Sequence, residues 1–174
     1  MHLILIRTIA LPAAIAALFF CAALPARAAD KDPFAQGSMR ASVLLGSGYA
    51  FDENYFIAGA GFGYYVARGL EAGLDGEFWT GGTRGITKIS PGLKYVVPTN
   101  STIRPYLGAF YRRTIIESYD DLNSVGGRAG AYLVSGRGSY FGAGAVYEKY
   151  LSCNETSVFS CSDAYMEIVL AFAF

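Results

Sequence analysis

The stretch Asp163-Ala-Tyr-Met-Glu-Ile-Val-Leu-Ala-Phe-Ala-Phe174 decides the fold. Ala164, Met166, Ile168, Leu170, Phe172 and Phe174 share one parity. Tyr165, Glu167, Val169, Ala171 and Ala173 share the other. A period of two makes this a β-strand with two unlike faces. The bulky apolar face is continuous, and the opposite face is small or polar and carries a glutamate. A soluble sheet buries its apolar face, whereas a strand ending on Phe with an unbroken apolar side suits a barrel turned inside out in a membrane.

Seven more segments of similar length precede it: 39–51, 55–67, 70–80, 86–97, 102–115, 124–134 and 139–150, with the last strand at 164–174. Each reaches the roughly 9–11 residues that cross a bilayer when tilted. Turn-forming clusters separate them, among them Asp52-Glu53-Asn54, Arg68-Gly69, Gly81–Gly85 and Pro98–Ser101. High Gly (21), Tyr (13) and Phe (12) with few helix signals argue for an all-β chain. The fold expected is an eight-stranded antiparallel up-and-down transmembrane β-barrel.

The charges test this. Arg40, Glu71, Asp75, Glu77, Lys88, Lys94, Arg104, Arg112, Arg128, Glu148 and Glu167 fall on the glycine-rich, polar parity. The opposite faces read Phe56, Ala58, Ala60, Phe62, Tyr64 on the second strand and Leu70, Ala72, Leu74, Gly76, Phe78 on the third. Only Arg113 and Lys149 break the rule, near strand ends, where a lipid-facing base costs little. A soluble barrel would put its charges outside. The inward set has five acids and six bases, a near balance that suggests a mutually satisfied plug. A selective pore would show one sign. Gly59, Gly61, Gly63, Gly142 and Gly144 share the inward parity and leave room for long side chains. No helix follows either glycine run, which sets aside a nucleotide loop.

Met1 to Ala28 has the layout of a secretory signal peptide. Arg7 is its basic start, Thr8–Leu24 its apolar run, and Ala26-Arg27-Ala28 its small-x-small cleavage site. The organisation expected is a signal peptide at 1–28, a polar periplasmic lead-in at 29–38 and the barrel at 39–174. Removing 28 of 174 residues leaves a single domain with a small negative charge, which gives no reason to expect a nucleic-acid partner.

With the N-terminus periplasmic, the outer loops are Asp52–Asn54, Gly81–Gly85, Glu117–Asn123 and Leu151–Asp163. Cys153 and Cys161 share the last of these, and export implies oxidation, so an intraloop disulfide is expected. Asn154-Glu155-Thr156 is read as a chance glycosylation-like triplet. The acidic Glu117, Asp120 and Asp121 are read as solvated.

Together the leader, the eight strands, the short turns, Arg104-Pro-Tyr-Leu-Gly-Ala109, Gly127-Arg-Ala-Gly130 and the terminal Ala171-Phe-Ala-Phe174 resemble the small outer-membrane barrels of Gram-negative bacteria. The OmpX and Ail type and the OmpA transmembrane domain are the likenesses. The resemblance implies a bacterial outer-membrane location with outer-membrane lipid around the barrel. It also implies that the barrel-assembly machinery reads Ile168, Leu170, Phe172 and Phe174 as the assembly signal. A monomer is expected.

Some barrels of this membrane are enzymes. The only histidine here is His2, inside the leader, so the mature chain lacks the usual general base and the commonest metal ligand. No catalytic residue, cofactor or metal is expected. Asp75 and Glu77 lie two apart on one strand face and are read as part of the interior ion-pair network rather than an acid–base pair. The function expected is non-enzymatic, in envelope integrity or surface interaction through the outer loops, toward a ligand the sequence does not name. The alternatives are a narrow porin-like channel for small solutes and, disfavoured, a lipid-modifying enzyme.

Overall fold

The computed structural model describes residues 32–50, 53–117, 120–135, 138–151 and 161–174. The leader at 1–28 and Cys153 lie outside these. Eight strands run β1 (Met39–Ala50), β2 (Glu53–Ala67), β3 (Leu70–Thr80), β4 (Ile86–Val96), β5 (Ile103–Ile116), β6 (Leu122–Val134), β7 (Ser139–Tyr150) and β8 (Ser162–Ala173). All neighbours are antiparallel, and β1 pairs with β8 through Val43↔Leu170, so the sheet closes into a barrel in strand order. Closure matters physically, because no strand edge is left with unpaired backbone groups in lipid.

The faces sort as the parity requires. Phe56, Leu74 and Leu107 are 55%, 52% and 66% exposed, while Arg40, Glu77, Lys88, Arg112 and Glu148 are buried. A continuous exposed apolar belt around a charged interior is stable only with hydrocarbon outside.

The strands run further at the outer end than the turn residues suggested. Glu53 and Asn54 pair with Ala50 and Tyr49, so they belong to β2. Asn123 pairs with Arg113, and Ser162 and Asp163 pair with Lys149 and Glu148. Ladder hydrogen bonds are available to polar residues as readily as to apolar ones, and they shorten the outer loops to 51–52, 81–85, 117–121 and 151–161. At the opposite end Gly69 closes the β2–β3 hairpin with φ +76°, in a turn where a Cβ would lie 2.3 Å from the Val96 carbonyl oxygen. Only glycine fits there without displacing the backbone.

The described part of the lead-in, from Asp32 onward, packs against the barrel. Pro33 and Phe34 are buried, and Phe34 has no exposed surface. The Gly37 N–H donates to the Tyr65 carbonyl, and the Gly69 N–H donates to the Phe34 carbonyl. The segment folds back under the barrel and closes its N-terminal mouth. A single phenylalanine among polar residues reads as unremarkable in sequence, but it finds an aromatic box once the barrel closes.

Candidate functional site: the closed barrel interior

The interior is built in layers, each set by inward parity on several strands. At the mouth beside the termini, Phe34 packs on Tyr140 (centroids 4.8 Å), Tyr132 (5.8 Å) and Tyr65 (5.8 Å). Tyr132 in turn stacks on Tyr106 at 4.4 Å. The Arg104 guanidinium lies 5.1 Å from the Phe34 ring and donates from Nη1 to Asp32 Oδ1 at 2.7 Å.

Above this lies an ionic layer. Arg40 pairs with Glu71 (2.9 Å) and Asp75 (3.0 Å), and Lys94 pairs with Glu71 (3.5 Å). Arg128 bridges Asp75 (3.0 Å) and Glu167 (3.5 Å), and the Tyr106 hydroxyl donates to Glu167 at 3.2 Å. Three bases meet three acids.

A second layer centres on Arg112, which has no exposed side-chain surface. Its guanidinium contacts Glu77, lies 3.2 Å from Glu148, and donates to the Ser90 Oγ (2.7 Å) and the Tyr165 hydroxyl (2.5 Å). Lys88 donates to Glu148 at 2.5 Å, and its Nζ sits 3.9 Å from the Trp79 ring centroid. The Ser124 hydroxyl donates to Glu148, and the Tyr165 hydroxyl and Trp79 Nε1 donate to Glu77. Two bases meet two acids. Trp79, Tyr55, Ile57, Ile86 and Ile116 form an apolar cap toward the outer mouth.

The network expected from sequence is therefore assembled, with its members split between two layers. Glu71, Asp75, Lys94, Arg128 and Glu167 join Arg40 in one, and Glu77, Lys88, Arg112 and Glu148 form the other. Asp75 and Glu77 are divided between them, each held by different cations, so they do not act as a pair. Arg104 is the correction. It points inward but pairs with none of the strand acids, because its partner is Asp32 in the lead-in. The lead-in supplies the acid that Arg104 does not find on the strands.

Sequence parity did not single out Tyr106, Tyr165, Ser90 or Ser124 as network members. Hydroxyls at inward positions carry no charge signal, yet they complete the hydrogen bonding of buried ions, which is costly to leave unmet. Ile168, Leu170, Phe172 and Phe174 all face outward and are exposed.

The inward glycines make the space. A Cβ on Gly61 would lie 2.0 Å from the Asp75 carboxylate, and one on Gly63 would lie 2.4 Å from that of Glu71. On Gly144 it would lie 2.2 Å from the Tyr106 hydroxyl and 2.8 Å from the Ala129 carbonyl oxygen, so neither side can yield freely. Gly144→Val should cost roughly 1–3 kcal/mol, the usual penalty for overpacking. A chemical-denaturation midpoint equal to wild type in micelles would rule this out.

No protein-family profile matches the chain, and no curated protein does. Solved structures do. Neisserial surface protein A (NspA) aligns at 15% identity with a TM-score of 0.61, covering 79% of this chain and 96% of that one. The N-terminal β-barrel domain of Pseudomonas aeruginosa OprF aligns at 17% identity and 0.56, covering 80% and 98%. The outer-membrane enzyme PagL aligns at 12% identity and 0.50, covering 75% and 98%. This chain has the fold of the small eight-stranded outer-membrane barrels. At these identities the likeness extends to the fold, and its holders include an enzyme, so activity has to be argued from this chain's own residues.

Proposed function

We propose that the protein is exported to the bacterial outer membrane, sits there as an integral barrel that neither conducts nor catalyses, and serves envelope integrity or surface interaction through its outer end. The observation that carries this reading is the filled interior. An eight-stranded barrel leaves room for little beyond side chains. Here that room holds two charge-balanced layers between an aromatic plug and an apolar cap. Buried ions this well paired favour a rigid core over an ion path, since conduction needs sites that release their ions.

The narrow-channel reading draws on one feature, the charged lumen. Recordings across planar bilayers with the full mature chain distinguish the two. Silence is expected, and stable unitary steps would replace the closed-barrel reading with the channel. Against catalysis stands the single histidine at position 2, within the proposed leader. A deletion strain with altered lipid A or phospholipid composition would overturn the non-enzymatic assignment.

The biogenesis partners belong to the same proposal. The barrel-assembly machinery would read the outward Ile168, Leu170, Phe172 and Phe174, and the folded barrel would be a monomer in outer-membrane lipid. Cys161 is disulfide-bonded. We assign its partner as Cys153, which peptide mapping without reductant would identify.

A further inference from the structure

The barrel closes where β1 meets β8, the two strands farthest apart in the chain. Their register runs from Arg40↔Ala173 to Ser47↔Met166 and stops short of Gly48, Tyr49 and Ala50. β1 and β2, by contrast, are registered along all of β1, from Met39↔Tyr64 to Ala50↔Glu53. At the inner end of the seam, Met39 and Phe174 exchange backbone hydrogen bonds at 2.9 and 3.0 Å. The lead-in begins at that point, and it does not stay on one side of the seam.

The shorter way round the wall from β2 to β7 passes through β1, the seam and β8. Phe34 bridges the same interval through the lumen. Its ring lies 5.8 Å from that of Tyr65 on β2 and 4.8 Å from that of Tyr140 on β7, and the two tyrosine hydroxyls are 3.4 Å apart. In a sheet parted at the seam and uncurled, β2 and β7 are five strand spacings apart, roughly 24 Å, and no single ring touches both. The box that holds Phe34 therefore exists only once β1 has met β8. The strap is fastened beyond the ring as well. Asp32 accepts from Arg104 of β5 at 2.7 Å and lies 3.6 Å from Arg68 in the β2–β3 turn.

We propose that the lead-in is a latch on the β1–β8 seam: Phe34 docks only on a closed barrel, and parting the seam requires drawing Phe34 out of its box. The seal on the mouth and the lock on the seam are then one device. A latch of this kind adds its docking free energy to the closed state alone. It slows opening and unfolding without hastening closure, because its contacts form after the seam does. A segment that only kept water out of the mouth would leave the seam's opening unaffected.

The test compares wild type, Phe34→Ala and the milder Phe34→Leu as full mature chains in micelles, each checked for folding by heat-modifiable gel mobility. Amide hydrogen exchange is followed at 40–47 and 166–173, which form the seam, and at 71–77 and 88–94, which form a β3–β4 ladder that the ring does not bridge. Phe34→Ala should lower protection in the seam about tenfold or more, with Phe34→Leu in between, and should leave the β3–β4 ladder as in wild type. Unfolding in denaturant should speed up by a similar factor while the folding rate holds.

Unchanged protection in the seam would overturn the proposal and leave Phe34 as a plug. Equal losses in both ladders would overturn it as a general loosening of the barrel. Slower folding with an unchanged unfolding rate would place docking before closure, and it too would overturn the latch. Should Phe34→Ala fail to fold, Phe34→Leu carries the same comparisons.

Discussion

Replacing Arg112 with methionine is expected to destabilise the barrel by roughly 3–5 kcal/mol, the usual result of removing one partner from a buried ion pair. Arg112 is the only cation in contact with Glu77 among the described residues, and it shares Glu148 with Lys88. Methionine fills much of the volume but leaves Glu77 with only the hydroxyl of Tyr165 and the indole N–H of Trp79. The loss is thus an uncompensated charge rather than a cavity. Chemical-denaturation midpoints in micelles, read by gel mobility, measure it. Adding Glu77→Gln should recover part of the loss, because the stranded charge is then gone. A midpoint unchanged by Arg112→Met, or a double variant weaker than the single by the full cost of a second deletion, would contradict the network.

Phe34→Ala should have an effect as large on a different observable. Truncating a fully buried aromatic costs about 3–5 kcal/mol where the surroundings cannot collapse. Here the affected unit is the lead-in, which can open locally while the barrel holds. The expected outcome is a segment around 32–37 that proteases cut readily, attached to a barrel that keeps its folded mobility. Arg104 would lose Asp32 at the same time. Arg104 sits at the mouth with its side chain 13% exposed, so water can reach it. Arg104→Ala should therefore cost the barrel far less than Arg128→Ala, whose target is held between Asp75 and Glu167. Conductance of the Phe34→Ala protein should stay silent, because the layer of Arg40, Glu71, Asp75, Arg128 and Glu167 still crosses the lumen. Protease resistance equal to wild type would show that Phe34 is not what holds the lead-in.

The two substitutions probe opposite sides of what could be read in advance. Glu77 and Arg112 were assignable to the interior from alternation alone, since strand parity is local and every second residue faces the same way. That alternation also predicted the lipid-facing exceptions Arg113 and Lys149. It could not say that Asp75 and Glu77, neighbours on one face of β3, belong to separate layers. Their cationic partners lie 35 or more residues away on β1, β5 and β6, and register across a tilted, closed sheet chooses among them. Phe34 was less legible still. Nothing periodic surrounds it, and its box is drawn from β2, β6 and β7.

By itself, the sequence determined that this chain is an inside-out barrel of eight strands with its charges inward, because face chemistry at period two is written residue by residue along each strand. Only the tertiary structure decided which ions meet, that they form two neutral layers, and that Asp32 and Phe34 close the end. Those outcomes depend on closure, which brings strands far apart in the chain within reach of one another and creates a mouth for the lead-in to fill.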